Sequence, residues 1–254
     1  RDCTALKSVD IHEGCALIGV RCFEGCTSLK EVVIPESVTE IQESAFYGCS
    51  ALEKAVIGDG VTSIGITAFA ECKLLKDVIL GAEVNNIGYR AFYNCCGLKE
   101  VNIPDYCRTF GKRVSYEDEG EQFRGCTALK KVTLGKRISS MATNVFMGCT
   151  ALEQIVIKDG CSVIGGKCFD GCNAIKVIKN YCTEIPTTAT NAFSSYTAAL
   201  YVPAEAVEDY RAADPWKNFG VIDQMENAPS DGDNKVATPT IAYNLGKIQF
   251  ASDT

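Results

Sequence analysis

The chain of 254 residues carries 25 Lys+Arg against 32 Asp+Glu, a formal net charge of -7, with 46% hydrophobic residues, 15 Cys and a single His. This acidic balance, with no basic stripe apparent, argues against a general nucleic-acid or anionic-membrane binder, which needs cations to replace released counterions. One imidazole disfavours a Ser-His-Asp triad or a multi-His metal site, and no stretch approaches the ~20 apolar residues that span a bilayer.

Read from the N-terminus, the dominant signal is a repeat. Phe followed three residues later by Cys, and three after that by Leu, begins at Phe23, Phe46, Phe69 and Phe92, a spacing of 23. The next set begins at Phe123, 31 residues on, which is one period plus an insertion of 8; Phe146 and Phe169 resume the period, and Phe193 follows after 24. Cys3 and Leu6 fall where a preceding unit would place them. A period of this kind means one supersecondary unit stacked on copies of itself, because so short a unit cannot close a core alone.

Within a unit, Leu29 to Pro35 alternates at Val32 and Ile34 and then meets a proline that cannot donate to a ladder, the pattern of a short strand and its end. A turn follows, clearest at Asp59-Gly60 and Asp159-Gly160, then a second brief alternating stretch such as Val61 to Ile64. A helical turn over Ala45 to Cys49 is expected to close the coil. The inward slots are then Leu29, Val32, Ile34, Val38, Ile41, Ala45, Phe46 and Cys49. The expected object is an α/β solenoid of about eight coils, extending roughly 35 to 40 Å at ~4.8 Å per rung, with a parallel sheet along one face.

Motifs such as IPESVTEIQESAFYGCSALEKAVI and IGGKCFDGCNAIKVI resemble the BspA-like, or Treponema-type, leucine-rich repeat, and the resemblance runs from residue 1 to about 202. It implies a right-handed leucine-rich-repeat superhelix from a secreted or surface-displayed protein, with an interaction role, often adhesive.

Past the array, Leu200 to Pro203 matches the strand end of a unit. Residues 204–213 read as a helix with Val207 and Tyr210 on one face, stopped by Pro215. With Trp216, Phe219 and Ile222 these make residues 203–226 a C-terminal cap, the rival being an aromatic ligand platform at Tyr210 and Trp216. The expected domains are thus 1–226 for the capped solenoid, 227–237 for a polar linker, and 238–254 for a hairpin opening a truncated β domain. The chain opens on Arg1 and ends in what reads as a strand, so flanking segments with targeting or anchoring signals are expected.

Eight cysteines, from Cys3 to Cys172, share one slot, and five more replace Ala, Val or Ile elsewhere, leaving Cys96 and Cys182 outside core slots. Buried thiols acting as small hydrophobes are the favoured reading over a disulfide ladder, since rungs ~4.8 Å apart hold in-register Cβ atoms beyond the usual ~3.5 to 4.5 Å. His12 lies in a turn slot with Cys15 three residues on, but Cys15 falls in the inward Val38 slot, which speaks against a Cys-His dyad. The insertion around residues 112–119, including Tyr116, Glu117, Asp118 and Glu119 and joined by Glu121, is a solvated loop, a partner-contact loop or a hard-cation site without EF-hand spacing. On the sheet face, Val33, Val56 and Ile79 lead an outward column that is either ordinary β-forming surface or an apolar strip rimmed by charge, as at interfaces.

The expectation that follows is a non-catalytic interaction module binding a protein or glycan partner. It is expected to be a monomer with no cofactor, no metal, no nucleic-acid partner and no direct membrane insertion. The alternative is a structural spacer that presents the downstream β domain.

Overall fold

The computed structural model describes residues 1–110 and 120–228. The chain winds through alternating short and longer strands: β1 (Leu17–Ile18), β2 (Glu31–Ile34), β3 (Glu40–Ile41), β4 (Lys54–Ile57), β5 (Ser63–Ile64), β6 (Asp77–Ile79), β7 (Asn86–Ile87), β8 (Glu100–Asn102) and β9 (Thr109–Phe110). Beyond the insertion come β10 (Lys131–Thr133), β11 (Ser140–Met141), β12 (Gln154–Ile157), β13 (Val163–Ile164), β14 (Val177–Asn180), β15 (Thr187–Thr188), β16 (Ala199–Val202) and β17 (Val221–Gln224). Every strand pairing is parallel and, except for β16 with β17, skips one strand, in the orders β2-β4-β6 and β8-β10-β12-β14-β16-β17 on one side and β1-β3-β5-β7-β9 and β11-β13-β15 on another. The protein is therefore a parallel β-solenoid of about nine turns with few helices, one coil more than the period suggests, because β17 adds a rung beyond β16.

The register keeps equivalent residues of successive units opposite each other, as in Val32 with Ala55 and Ile34 with Ile57. All eight inward slots read from the sequence are buried, from 0% to 2% exposed. Close coil contact also dictates composition at the strand end: a Cβ on Gly81 would lie 2.2 Å from the Gly58 carbonyl oxygen, so only glycine fits there.

The segment that closes each coil is a run of turns, not a helical turn. Its N–H groups alternate between their own coil and the next: Ser44, Phe46 and Gly48 donate to Ile66, Ala68 and Ala70 at 2.7–2.9 Å, while Ala45, Tyr47 and Cys49 donate back three residues at 3.0–3.3 Å. A helix would direct every N–H along its own axis and leave the neighbouring coil unbonded. The alternation requires left-handed residues on both sides of the phenylalanine, at Ser44 (φ 56°) and Gly48 (φ 69°). The first of these positions recurs at Arg21, Thr67, Arg90, Glu121, Asn144 and Lys167, none of them glycine.

Inside this corner eight phenylalanines, Phe23 to Phe193, stack with ring centroids 5.0–5.5 Å apart and planes within 11° of parallel. Beside them runs the cysteine file. Six of its thiols, Cys49, Cys72, Cys95, Cys126, Cys149 and Cys172, donate to the carbonyl of the phenylalanine one coil back at 3.0–3.3 Å. All fifteen cysteines are free thiols. The slot thus takes a side chain small enough for the core that still offers a weak donor to a carbonyl lone pair. Two details differ from the slot reading. Cys182 is buried at 2%, donating toward the carbonyls of Lys158 and Cys161 at 3.5 Å. Cys3 and Cys22 are exposed and Cys15 half-buried, because they belong to the first coil of the array, whose outer side meets solvent.

At the other end a short 3-10 helix (Ala204–Ala206) leads into α1 (Val207–Ala212), then a second 3-10 turn (Trp216–Asn218) and β17. Trp216 and Phe219 meet Phe193 edge-on at 5.8 and 5.4 Å, so the phenylalanine stack ends against them. Tyr210 and Trp216 are 0% exposed. The Tyr210 hydroxyl donates to the Cys182 carbonyl at 3.0 Å and accepts from Asn180 at 2.9 Å, and the Trp216 indole N–H donates to the Pro186 carbonyl at 3.4 Å. Rings so enclosed serve as cover for the core and not as a ligand platform. The hairpin read at 238–254, and the linker from residue 229 on, lie outside the described residues.

Candidate interaction surface

The long-strand sheet turns alternate side chains outward, and its register sets Val33 opposite Val56 and Val56 opposite Ile79. Val33 is 56% exposed, and Val56 and Ile79 are half-buried. Two residues earlier in each strand, Glu31, Lys54 and Asp77 pair in the same register, so alternating charges rim the strip. The three residues singled out from the sequence therefore form one contiguous apolar strip. Farther along, the column passes through Asn102 and Thr133 to Val156 and Lys179, which are 7% and 5% exposed. The outward column is therefore closed only at Val156 and Lys179.

Tyr116, Glu117, Asp118 and Glu119 lie outside the described residues. β9 ends at Phe110, and the described chain resumes at Gly120 and Glu121, whose N–H groups donate to the Thr143 carbonyl at 3.0 and 3.5 Å. Glu121, counted with that carboxylate cluster in the sequence, is itself buried: it is 3% exposed and held by Arg90 and Arg124. Burial alone would raise its carboxyl, but the hydrogen bonds from the two guanidinium groups outweigh that and hold it below the ordinary glutamate range. Arg90 in turn lies 5.0 and 4.8 Å from the ring centroids of Tyr89 and Tyr93. Glu121 pins the chain where it re-enters the stack and is taken up by that task. No group of three or more His, Cys, Asp or Glu side chains suited to a metal ion occurs among the described residues.

The His12 and Cys15 pair does not form a dyad. The Cys15 thiol donates to the Leu17 carbonyl at 3.3 Å, and the His12 side chain is 84% exposed, 3.8 Å from Asp10. Among the described residues no helix is long and apolar enough to cross a membrane.

A family model described as the BspA type leucine rich repeat region matches six copies over residues 1–120 and 119–202. The chain belongs to the BspA-type leucine-rich repeat family. A solved leucine-rich repeat protein from Treponema pallidum is similar at 23% identity with a TM-score of 0.54, covering 62% of this chain and 72% of that one. The pneumococcal vaccine antigen PcpA is similar at 22% identity with a TM-score of 0.53, covering 77% of this chain and 41% of that one. At these identities the likeness is one of fold. No curated protein matches.

One feature of this BspA-type array overturns the reading that it has no basic stripe. The residue just after the core leucine forms a file through the solenoid, in which each N–H donates to the preceding carbonyl at 2.7–3.5 Å: Lys7, Lys30, Glu53, Lys76, Lys99, Lys130, Glu153 and Lys176. Six of the eight are lysines, all exposed. In the sequence its members lie a full repeat or more apart, and Lys30, Glu53, Lys76, Lys99 and Lys130 read there only as charge flanking the valine strip. Glu53 pairs with Lys76 at 2.7 Å and Glu153 with Lys176 at 3.1 Å. Lys7, Lys30, Lys99 and Lys130 have no ion pair among the described residues.

Proposed function

We propose that the chain is a non-catalytic interaction module of a secreted or cell-surface protein, engaging a protein or glycan partner in an adhesion-type role. The observation that carries this reading is the in-register strip of Val33, Val56 and Ile79 on the open face of the sheet, rimmed by Glu31, Lys54 and Asp77. An apolar centre with a polar rim is the anatomy of interaction surfaces. A hydrogen-bonded ladder holds it rigid, so little conformational entropy opposes docking. The 112–119 insertion, with Tyr116, Glu117, Asp118 and Glu119, is proposed as a second contact on the same molecule. The extracellular location is carried over from the family resemblance.

The test is binding of the chain to immobilised extracellular-matrix proteins and glycans, beside a Val33→Glu/Val56→Glu/Ile79→Glu variant and a 112–119 deletion. Saturable binding that is lost in one variant and kept in the other supports the role and locates the face. Absence of binding across the panel would sink it in favour of a spacer with no ligand of its own.

A further inference from the structure

We infer that the lysine file along the strand-entry edge is a binding track for an extended, polyanionic glycan, one bearing sulfate or uronate groups. The inference rests on the interaction-module reading above and names a partner class for it, at a different surface from the valine strip.

Three features of the file point to this ligand. First, it is linear. Seven backbone hydrogen bonds join its eight members, so at ~4.8 Å per rung it runs roughly 34 Å in a line one residue wide. A compact anion would use only one or two of its lysines, whereas a long chain reaches Lys7, Lys30, Lys99 and Lys130 together, passing the positions of Glu53 and Glu153 that are ion-paired to Lys76 and Lys176. The next column holds Glu31, Asp77 and Glu100 among its residues, so the cationic surface is too narrow for a planar anionic membrane, which rewards a broad basic patch.

Second, the charges are available. Lys30, Lys99 and Lys130 are exposed and carry no ion pair, with Lys131 beside Lys130 thickening the track at its centre. An ammonium group on a flexible stem acts as a point charge that tolerates variable anion spacing, as a polysaccharide with several anionic groups per repeat presents.

Third, hydroxyls line the same corner. The residue after the core cysteine, three before each file position, is Thr4, Thr27, Ser50, Thr127 or Thr150 in five of the eight units. Thr4, Thr27, Thr127 and Thr150 are exposed. Short hydroxyls beside cations suit a ligand that is itself rich in hydroxyls and anions. The same slot holds no aromatic residue in any unit, whereas a single-stranded nucleic-acid track combines its cations with stacking rings.

The experiment uses the full chain and immobilised heparin as the sulfated probe, with hyaluronan, neutral dextran, poly-glutamate and duplex DNA as comparisons. Saturable binding to heparin is expected, falling linearly on a log scale with salt as bound cations are released. A Lys30→Gln/Lys99→Gln/Lys130→Gln variant should bind at least about tenfold more weakly and with a flatter salt slope, three phosphate-like contacts being gone. It should melt at the parent temperature, since the replaced side chains are exposed. The Val33→Glu variant should bind heparin as the parent does, and a Lys136→Gln/Arg137→Gln/Lys217→Gln variant with the same change in charge should lose much less than the file variant.

Four results would overturn the inference: no saturable heparin binding, equal affinity for poly-glutamate, equal affinity for DNA, or equal loss in both lysine and arginine variants. If a protein partner is found through the valine strip while heparin fails, only the glycan track falls. If nothing in either panel binds, the module reading falls with it.

Discussion

The phenylalanines from Phe46 to Phe146 are core residues and also rung supports, their carbonyls accepting a thiol from the next coil. Phe69, 0% exposed, lies between Phe46 at 5.0 Å and Phe92 at 5.3 Å, and its carbonyl accepts the Cys95 thiol. Phe69→Ala would remove a ring that coils on both sides hold apart, so the cavity has no ready way to collapse. We expect a loss of about 3 to 5 kcal/mol in denaturant unfolding; a loss below about 1 kcal/mol would mean the ring is not packed as described. The thiols give a second test at this scale. Burial pushes the Cys49 and Cys161 thiols up to about 12, and those of Cys72, Cys95, Cys149 and Cys168 well above their ordinary value. A raised folded-state value leaves stability intact below the unfolded thiol value of 9.0 and removes it as pH rises toward the folded value. The unfolding free energy should therefore fall above pH 9, by on the order of 1 kcal/mol per pH unit for each such thiol. A Cys49→Ala/Cys72→Ala/Cys95→Ala variant should decline more shallowly, and parallel curves would show that the thiols are not responsible. The inward slots, these residues included, were legible because burial leaves a periodic apolar trace in the sequence. The left-handed slot two residues before seven of the eight phenylalanines was not legible. Arg, Ser, Thr, Glu, Asn and Lys all occupy it, and the hydrogen bonds to the next coil, not a glycine, offset a cost of about 1 to 2 kcal/mol.

At the scale of elements, the strands were readable and the connections less so. Alternation ended by Pro or Gly marks β2 and its equivalents, whereas nothing local separates a helical turn from a run of turns whose N–H groups reach the next coil. The cap shows the same asymmetry. Its apolar face was visible at Val207 and Tyr210, but β17 was hidden, since Val221–Gln224 becomes a strand only by pairing with β16. Of the candidate surface, the valine strip was legible from register alone, and the lysines were legible only as charge flanking it, their alignment into one file being set by the hydrogen bonds between coils. Where the insertion rejoins the coil, the deciding element is the turn held by Glu121. Its two guanidinium partners are about a third exposed, so the triad is worth less than a fully buried one. Glu121→Gln should cost about 1.5 to 3 kcal/mol at pH 7, as for hydrogen bonds to a charged group. Because the parent carboxyl is held below its ordinary value of 4.5, its contribution is present above that pH and is lost as pH falls through the folded-state value. Parent and variant midpoints should converge in acid. A gap that stays constant down to pH 2 would indicate lost packing and not lost charge.

For the whole molecule, stability is close to a sum of coils and of interfaces between neighbouring coils, because each coil packs on those at either side, the exposed Lys158 to Asp105 ion pair at 2.8 Å being a contact that reaches across one coil. The insertion tests how strictly that arithmetic holds. Deleting residues 112–119 restores a spacing of 23 between Phe92 and Phe123, whose rings already stack at 5.2 Å, so the shortened chain should fold and melt within a few degrees of the parent. The cap tests the converse. Trp216 is 0% exposed against Phe193, Tyr210 and Phe219, and covers the open end of the array. Trp216→Ala should cost about 3 to 5 kcal/mol where the ring is removed. In a nearest-neighbour array that loss acts locally, since the coils around β2 to β6 keep every contact they had. Amide hydrogen exchange should then show faster exchange in β14, β16 and β17 with little change in β2 and β4. A uniform rise in exchange from β2 to β17 would show that the coils open as one cooperative unit, with an end cap that stabilises the entire array.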